Sequence, residues 1–150
     1  MAPIVENIIA VLERQPDAGA VNDALLNAAF LFEKSRGVPP CAWPDEVAQS
    51  SATPEEMHRL RDAVVKYVQR NGVGSWTLGK CFDKTLKPVL VSVLQRHLQG
   101  DAGELFQAMI ALDNLREPVF GDVRSRSILD QEKNRELARR YLEGDRARAG

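Results

Sequence analysis

The chain has 150 residues, 44% of them hydrophobic and 27% charged, and a formal net charge of -1. That length suits one domain able to bury a core without disulfide or metal staples. The near-neutral balance argues against grip on nucleic acid through overall charge, and two distant cysteines, Cys41 and Cys81, exclude a disulfide framework while leaving a single bridge open.

The opening Met1-Ala-Pro leads into a helix carrying Glu6, without the basic start and apolar run of a secretory leader. The longest apolar stretches, around Ala24–Phe32 and Pro88–Leu94, are too short to span a bilayer. A cytoplasmic protein with no membrane partner is expected.

The first predicted helix runs from Pro3 to about Arg14, with Ile4, Val5, Ile8, Ile9 and Leu12 as its inner stripe. Pro16-Asp17 breaks it. A second helix from about Val21 to Lys34 carries Val21, Leu25, Leu26, Ala28, Ala29 and Phe32, an apolar surface wide enough to sit between neighbours. Ser35 to Ser51, with Gly37, Pro39, Pro40 and Pro44, reads as a long irregular connection. Trp43 lies in it, either anchoring the loop in a groove or contacting a partner.

Thr53-Pro54-Glu55-Glu56 supplies an N-cap, a first-position proline and a carboxylate able to close a capping box. Met57, Leu60, Val64, Tyr67 and Val68 follow at helical spacing, and Gly72 offers a left-handed stop. Trp76, Leu78 and Phe82 mark a short helix, and Asp83 to Lys87 a turn. Leu86, Val89, Leu90, Val93, Leu94 and Leu98 then define a helix ended by Gly100. Asp101 is placed to cap the next, which carries Leu105, Ala108, Met109, Leu112 and Leu115. The run PVFGDVRSRSILD has no helical period. A last helix carries Leu137, Ala138, Tyr141 and Leu142, and residues 144–150 are expected to fray. The prediction is an all-α fold: a single domain over 1–143, with about seven helices in stacked antiparallel pairs.

Trp76-Thr-Leu-Gly79 and Ile110-Ala-Leu-Asp113 occupy similar places about one repeat length apart, each followed by charged residues and a Pro-Val pair, Pro88-Val89 and Pro118-Val119. The first departs from the tetratricopeptide pattern W-x2-L-G-x2-Y by one residue, a rotation of roughly 100° on a helix. The order W-x-L-G, Asp83, Pro88-Val89-Leu90 and Leu94 instead resembles one unit of a HEAT-like repeat, and a second unit begins near Glu104. The resemblance implies a HEAT-like α-solenoid over about 74–143. Ala111-Leu-Asp-Asn-Leu115, Ser127-Ile-Leu-Asp130, Glu132, Asn134-Arg135 and Leu137-Ala-Arg-Arg-Tyr141 resemble a group of short bacterial HEAT-like proteins. Some members of that group are immunity proteins of contact-dependent or polymorphic toxin systems. For this chain, that implies a cognate toxin domain as partner, bound 1:1 with its active site covered.

Residues suited to catalysis are few. His58 and His97 each lack a second histidine or cysteine at the spacing that lets one helix present two metal ligands. Gly72-Val-Gly74 lacks the spacing and lysine of a phosphate loop. Cys81 reads as a small core residue, and nothing near Cys41 would lower its pKa. Glu55-Glu56, and Asp101 with Glu104, are explained by their helix starts. The expectation is no enzyme, no cofactor, no metal and no small-molecule substrate.

From Asp101 to Glu132 the acids are Asp101, Glu104, Asp113, Glu117, Asp122, Asp130 and Glu132, against three bases, Arg116, Arg124 and Arg126. Residues 133–150 reverse the balance. A solvated face is the plain explanation. The functional one is an acidic patch opposite a basic partner such as a nuclease toxin's cleft. Asp101, Glu104, Asp113, Glu117, Asp122 and Asp130, with Trp43 as an aromatic anchor, are the candidate contacts. The competing classes are an adaptor module and a nucleic-acid-binding helical repeat, which needs a basic face.

Overall fold

The computed structural model describes residues 3–149; Met1 and Ala2, which open the expected domain, and Gly150, which ends the expected tail, lie outside them. The described residues form eight α-helices and one 3-10 turn, with no strand among them.

Helix α1, Pro3–Arg14, begins on its proline and buries Ile4, Val5, Ile8 and Leu12. Ile9 lies at the half-buried margin of that stripe. Helix α2, Ala18–Ser35, starts earlier than expected because Asp17 Oδ1 accepts the Ala20 N–H at 2.8 Å. It buries Val21, Ala24, Leu25, Ala28, Ala29, Leu31 and Phe32, and packs on α1 and on the later helices α4 (Pro54–Asn71) and α5 (Ser75–Gly79). Leu26, expected on its apolar surface, is instead 42% exposed.

The connection from Ser35 to Ser51 is more ordered than its prolines suggest. It contains a four-residue helix, α3 (Asp45–Ala48), which inserts the fully buried Val47 into the core. Lys34 Nζ donates to the carbonyls of Val47 (3.1 Å), Ala48 (2.9 Å) and Ser50, tying α2 to the loop. Trp43 packs half-buried against the core.

Helix α4 has the expected capping box. Thr53 Oγ1 accepts from Glu56 N and Glu56 Oε1 from Thr53 N, both at 3.1 Å. Gly72, at φ 69°, closes its other end with an N–H to Val68 O. Helix α5 is too short to reach Phe82, expected to mark it. Phe82 lies beyond the helix at φ 48°, 42% exposed, with the Arg36 guanidinium 3.8 Å above its ring. The Thr77 hydroxyl instead holds α5 to α2 through a buried bond to Leu25 O at 2.9 Å.

Asp83 caps the 3-10 turn Lys84–Leu86, which runs directly into α6, Lys87–His97. That helix stops at His97, and Arg135 of the last helix bonds the carbonyls of His97, Leu98 and Gly100 at and just beyond its end. Helix α7, Ala102–Asn114, starts on Asp101, whose Oδ1 accepts from Glu104 N at 2.9 Å. The irregular connection expected over 118–130 begins already at residue 115 and buries Val119 and Phe120.

The final helix α8, Gln131–Ala149, passes through Gly144, where fraying was expected to begin. Asp145 pairs with Lys87 at 2.7 Å and with Arg148 at 3.8 Å, holding the last turns against α6.

The most extensive packing joins α6 to α7 and α5 to α7. Helix α1 lies on α4 and α2, and α8 covers α7 and α6. This compact pairing of helices is a helical repeat-like arrangement around one continuous core. The extra helix relative to the predicted seven is α3, and no described helix is long and apolar enough to cross a membrane.

Candidate functional site

The acids that crowd residues 101–132 in sequence are spread along α7, the irregular connection that follows it and the first turn of α8. Along α7 (Ala102–Asn114) the helical rise puts Asp113 about 18 Å from Asp101 and about 14 Å from Glu104.

Asp113 and Glu117 are engaged within the chain. Arg126 Nη1 donates to Asp113 Oδ2 at 2.8 Å. Glu117 Oε1 accepts from Lys87 Nζ at 2.9 Å and from the Tyr141 hydroxyl at 2.6 Å. Burial pushes the Glu117 carboxyl up, but Tyr141 and Lys87 together pull it below its ordinary value. Both acids therefore fasten helices and loop together.

Asp122 and Asp130 differ. Both are exposed, and among the described residues neither carboxylate has an ion-pair or hydrogen-bond partner. Between them the chain presents Ile128, 43% exposed, and Leu129, 85% exposed. This apolar pair is not among the candidate contacts, which are acids and Trp43. Its signals in the sequence are two adjacent large aliphatics in a polar run without helical period, and their place in the Ser127-Ile-Leu-Asp130 motif.

The segment is held from both sides. Arg126 reaches Asp113 and lies 4.7 Å from the Phe120 ring centroid, while Asn134 Nδ2 donates to Ser127 O at 2.9 Å. The Ser127 hydroxyl accepts from Leu129 N at 3.1 Å. The tip is thus exposed on a fastened base.

Glu104 lies in the first turn of α7, the helix-start position expected of it. Its backbone N–H bonds Asp101, but its side chain does not close a capping box as Glu56 does. It lies instead beside the Gly74 backbone, on the wall of the cleft between α2, α5 and α7. Burial and then the Asp101 charge raise its pKa, against smaller opposing effects of His97 and Gly74. Trp43, the proposed aromatic anchor, is committed in part to the core.

The basic residues of α8 are largely paired. Arg139 meets Glu136 and Glu143, Arg140 meets Glu136, Arg135 caps α6, and Arg148 lies near Asp145. Lys133 and Arg146 are the α8 bases without an ion-pair or hydrogen-bond partner among the described residues.

His58 sits 3.5 Å from Asp62, and His97 Nε2 lies 2.7 Å from Gly72 O, joining the ends of α6 and α4. Both cysteines are free thiols. Burial pushes the Cys81 thiol up to about 12, the direction opposite to that of an activated nucleophile. Among the described residues, no group of three or more His, Cys, Asp or Glu is placed to hold a metal ion. Comparisons with protein-family models, curated proteins and solved structures find no match to this chain.

Proposed function

We propose that the protein is a cytoplasmic immunity protein that binds a cognate toxin domain 1:1 and covers its active site. The observation that carries the reading is the exposed Ile128–Leu129 tip flanked by the unpaired Asp122 and Asp130. Interfaces that hold a partner tightly bury a small apolar centre inside a polar rim, and this segment has both parts. Its fastening to Asp113, Phe120 and Asn134 limits the ordering cost of association. The unpaired acids suit a basic target, such as a cleft that holds phosphates. The resemblance of Ser127–Asp130 and Leu137–Tyr141 to short bacterial immunity proteins supports the same reading.

The test is co-expression with the C-terminal domain encoded by the gene immediately upstream. Rescue of that domain's toxicity and co-purification are expected, and Leu129→Arg should lose both while keeping its helical circular dichroism. A toxic domain that is neither rescued nor bound overturns immunity to that neighbour. Full rescue by Leu129→Arg moves the interface away from this tip.

A further inference from the structure

We propose that a cleft at the other end of α7 binds a single cationic group, a guanidinium or ammonium, carried on an aliphatic stem. The cleft encloses about 380 Å³ between α2, α5 and α7, and Leu26, Val73, Gly74, Trp76, Glu104 and Gln107 line it. That volume is within the range of small-ligand sites, roughly 300–1,000 Å³.

The first observation is an orphaned oxygen. Glu104 Oε2 is buried and has no hydrogen-bond partner. A buried carboxylate oxygen without a donor is costly, and the fold does not require the arrangement. Glu56 holds the equivalent position three residues after its cap and closes a box with Thr53. Glu104 gives up that local bond and lies beside the Gly74 turn, on the cleft wall. A cation is the ligand that would supply the missing N–H and balance the charge.

The second observation is the apolar wall. Leu26 is 42% exposed in a helix whose other large aliphatics are buried. Together with Trp76 it would cover the methylenes of a lysine, arginine or alkylamine stem. Trp76 already attracts a cation, since Lys80 Nζ lies 5.0 Å from its ring centroid, and Lys80 does not line the cleft. Asp101 adds negative charge beside Glu104, while His97, its Nε2 engaged with Gly72 O, acts on Glu104 in the opposing direction.

This site lies apart from the 121–130 tip and does not rest on the immunity reading, so it is tested on the protein alone. With 15N-labelled full-length chain, agmatine and the peptide acetyl-Gly-Arg-Gly-amide are titrated separately to about 10 mM, a range suited to weak single-group binding. Saturable shifts are expected at the Trp76 indole N–H, the Gly74 amide and the Gln107 side-chain amide, with the Trp43 indole unmoved. Glu104→Gln, and separately citrulline in place of arginine in the peptide, should each weaken binding by about tenfold or more. Tighter binding of the peptide marks a protein-borne side chain as the ligand. Tighter binding of agmatine marks a free amine. No saturable shift at Trp76 with either probe, or equal response from Glu104→Gln or the citrulline peptide, overturns the proposal.

Discussion

The Tyr141 hydroxyl and the Lys87 ammonium converge on the same oxygen of Glu117, at 2.6 and 2.9 Å. One carboxylate thereby joins the start of α6, the end of α7 and the middle of α8. Burial, and then the Glu117 carboxylate, raise the Tyr141 phenol above its usual range, so it stays a donor at all ordinary pH. Tyr141→Phe removes the donor and leaves the ring, which is only 5% exposed, in place. We expect a loss of about 1.5–3 kcal/mol, the usual range for a bond to a charged acceptor. Urea unfolding should show a lower midpoint with an unchanged slope.

The same network sets an acid limb. Glu117 is held below its ordinary 4.5, and Asp83 below its ordinary 3.8 by the Thr85 hydroxyl, with the Thr85 N–H and Arg61 assisting against burial. A carboxyl lowered in the fold contributes stability above its unfolded pKa and loses it as pH falls through the folded one. Stability should therefore decline from about pH 4.5 downward. Glu117→Gln should be less stable than wild type at pH 7, with the gap closing on acidification. A pH-independent gap would mean that the carboxylate's charge plays no part.

Glu104 carries the opposite sign. Its pKa is raised by burial first and by Asp101 second, so the ionised form is disfavoured in the fold. That penalty is present above the folded pKa and disappears as pH falls towards the ordinary 4.5. Glu104→Gln should raise the melting temperature at pH 7 by about 2 °C, and the gain should vanish near pH 4.5. A side chain that merely supported the α7 start would destabilise on the same substitution. Thermal scans at the two pH values separate the cases.

Much of the fold was legible because its signals are local. Thr53 with Glu56, Gly72 and Asp101 act within a few residues, and each ends or starts a helix as its chemistry dictates. The paired motifs were informative too. Gly79 of Trp76–Gly79 stacks on Ala111 of Ile110–Asp113, and a Cβ at Gly79 would lie 2.9 Å from Ala111 Cα and Cβ. Gly79→Ala should force α5 from α7 and lower stability by about 1–3 kcal/mol, the range for overpacking. Normal stability would mean that α5 can shift freely.

What stayed hidden was set by long-range partners. Helix α3 has four residues, too few for a period, and Lys34 holds it from another helix. Glu56 and Glu104 have the same spacing from their caps, and only the tertiary position of Gly74 makes one a cap and the other a cleft wall. Counting acids could not reveal that Asp113 and Glu117 already face Arg126 and Lys87.

That distinction decides how the acidic contacts should be tested. Reversing Asp113 and Glu117 would break the Arg126 and Lys87 pairs and strand the Tyr141 hydroxyl, so lost binding would follow from damage to the fold. Asp122→Lys with Asp130→Lys touches two exposed carboxylates without partners among the described residues, and stability should fall by no more than about 1 kcal/mol, the cost of a cation just before α8. If these acids steer a basic toxin domain, the double variant should associate about tenfold more slowly at low salt. The deficit should shrink as salt screens the approach, while dissociation changes less. Stopped-flow association at two ionic strengths reads both quantities. An unchanged on-rate would leave Ile128 and Leu129 as the tip's contribution and remove the acidic rim from the mechanism.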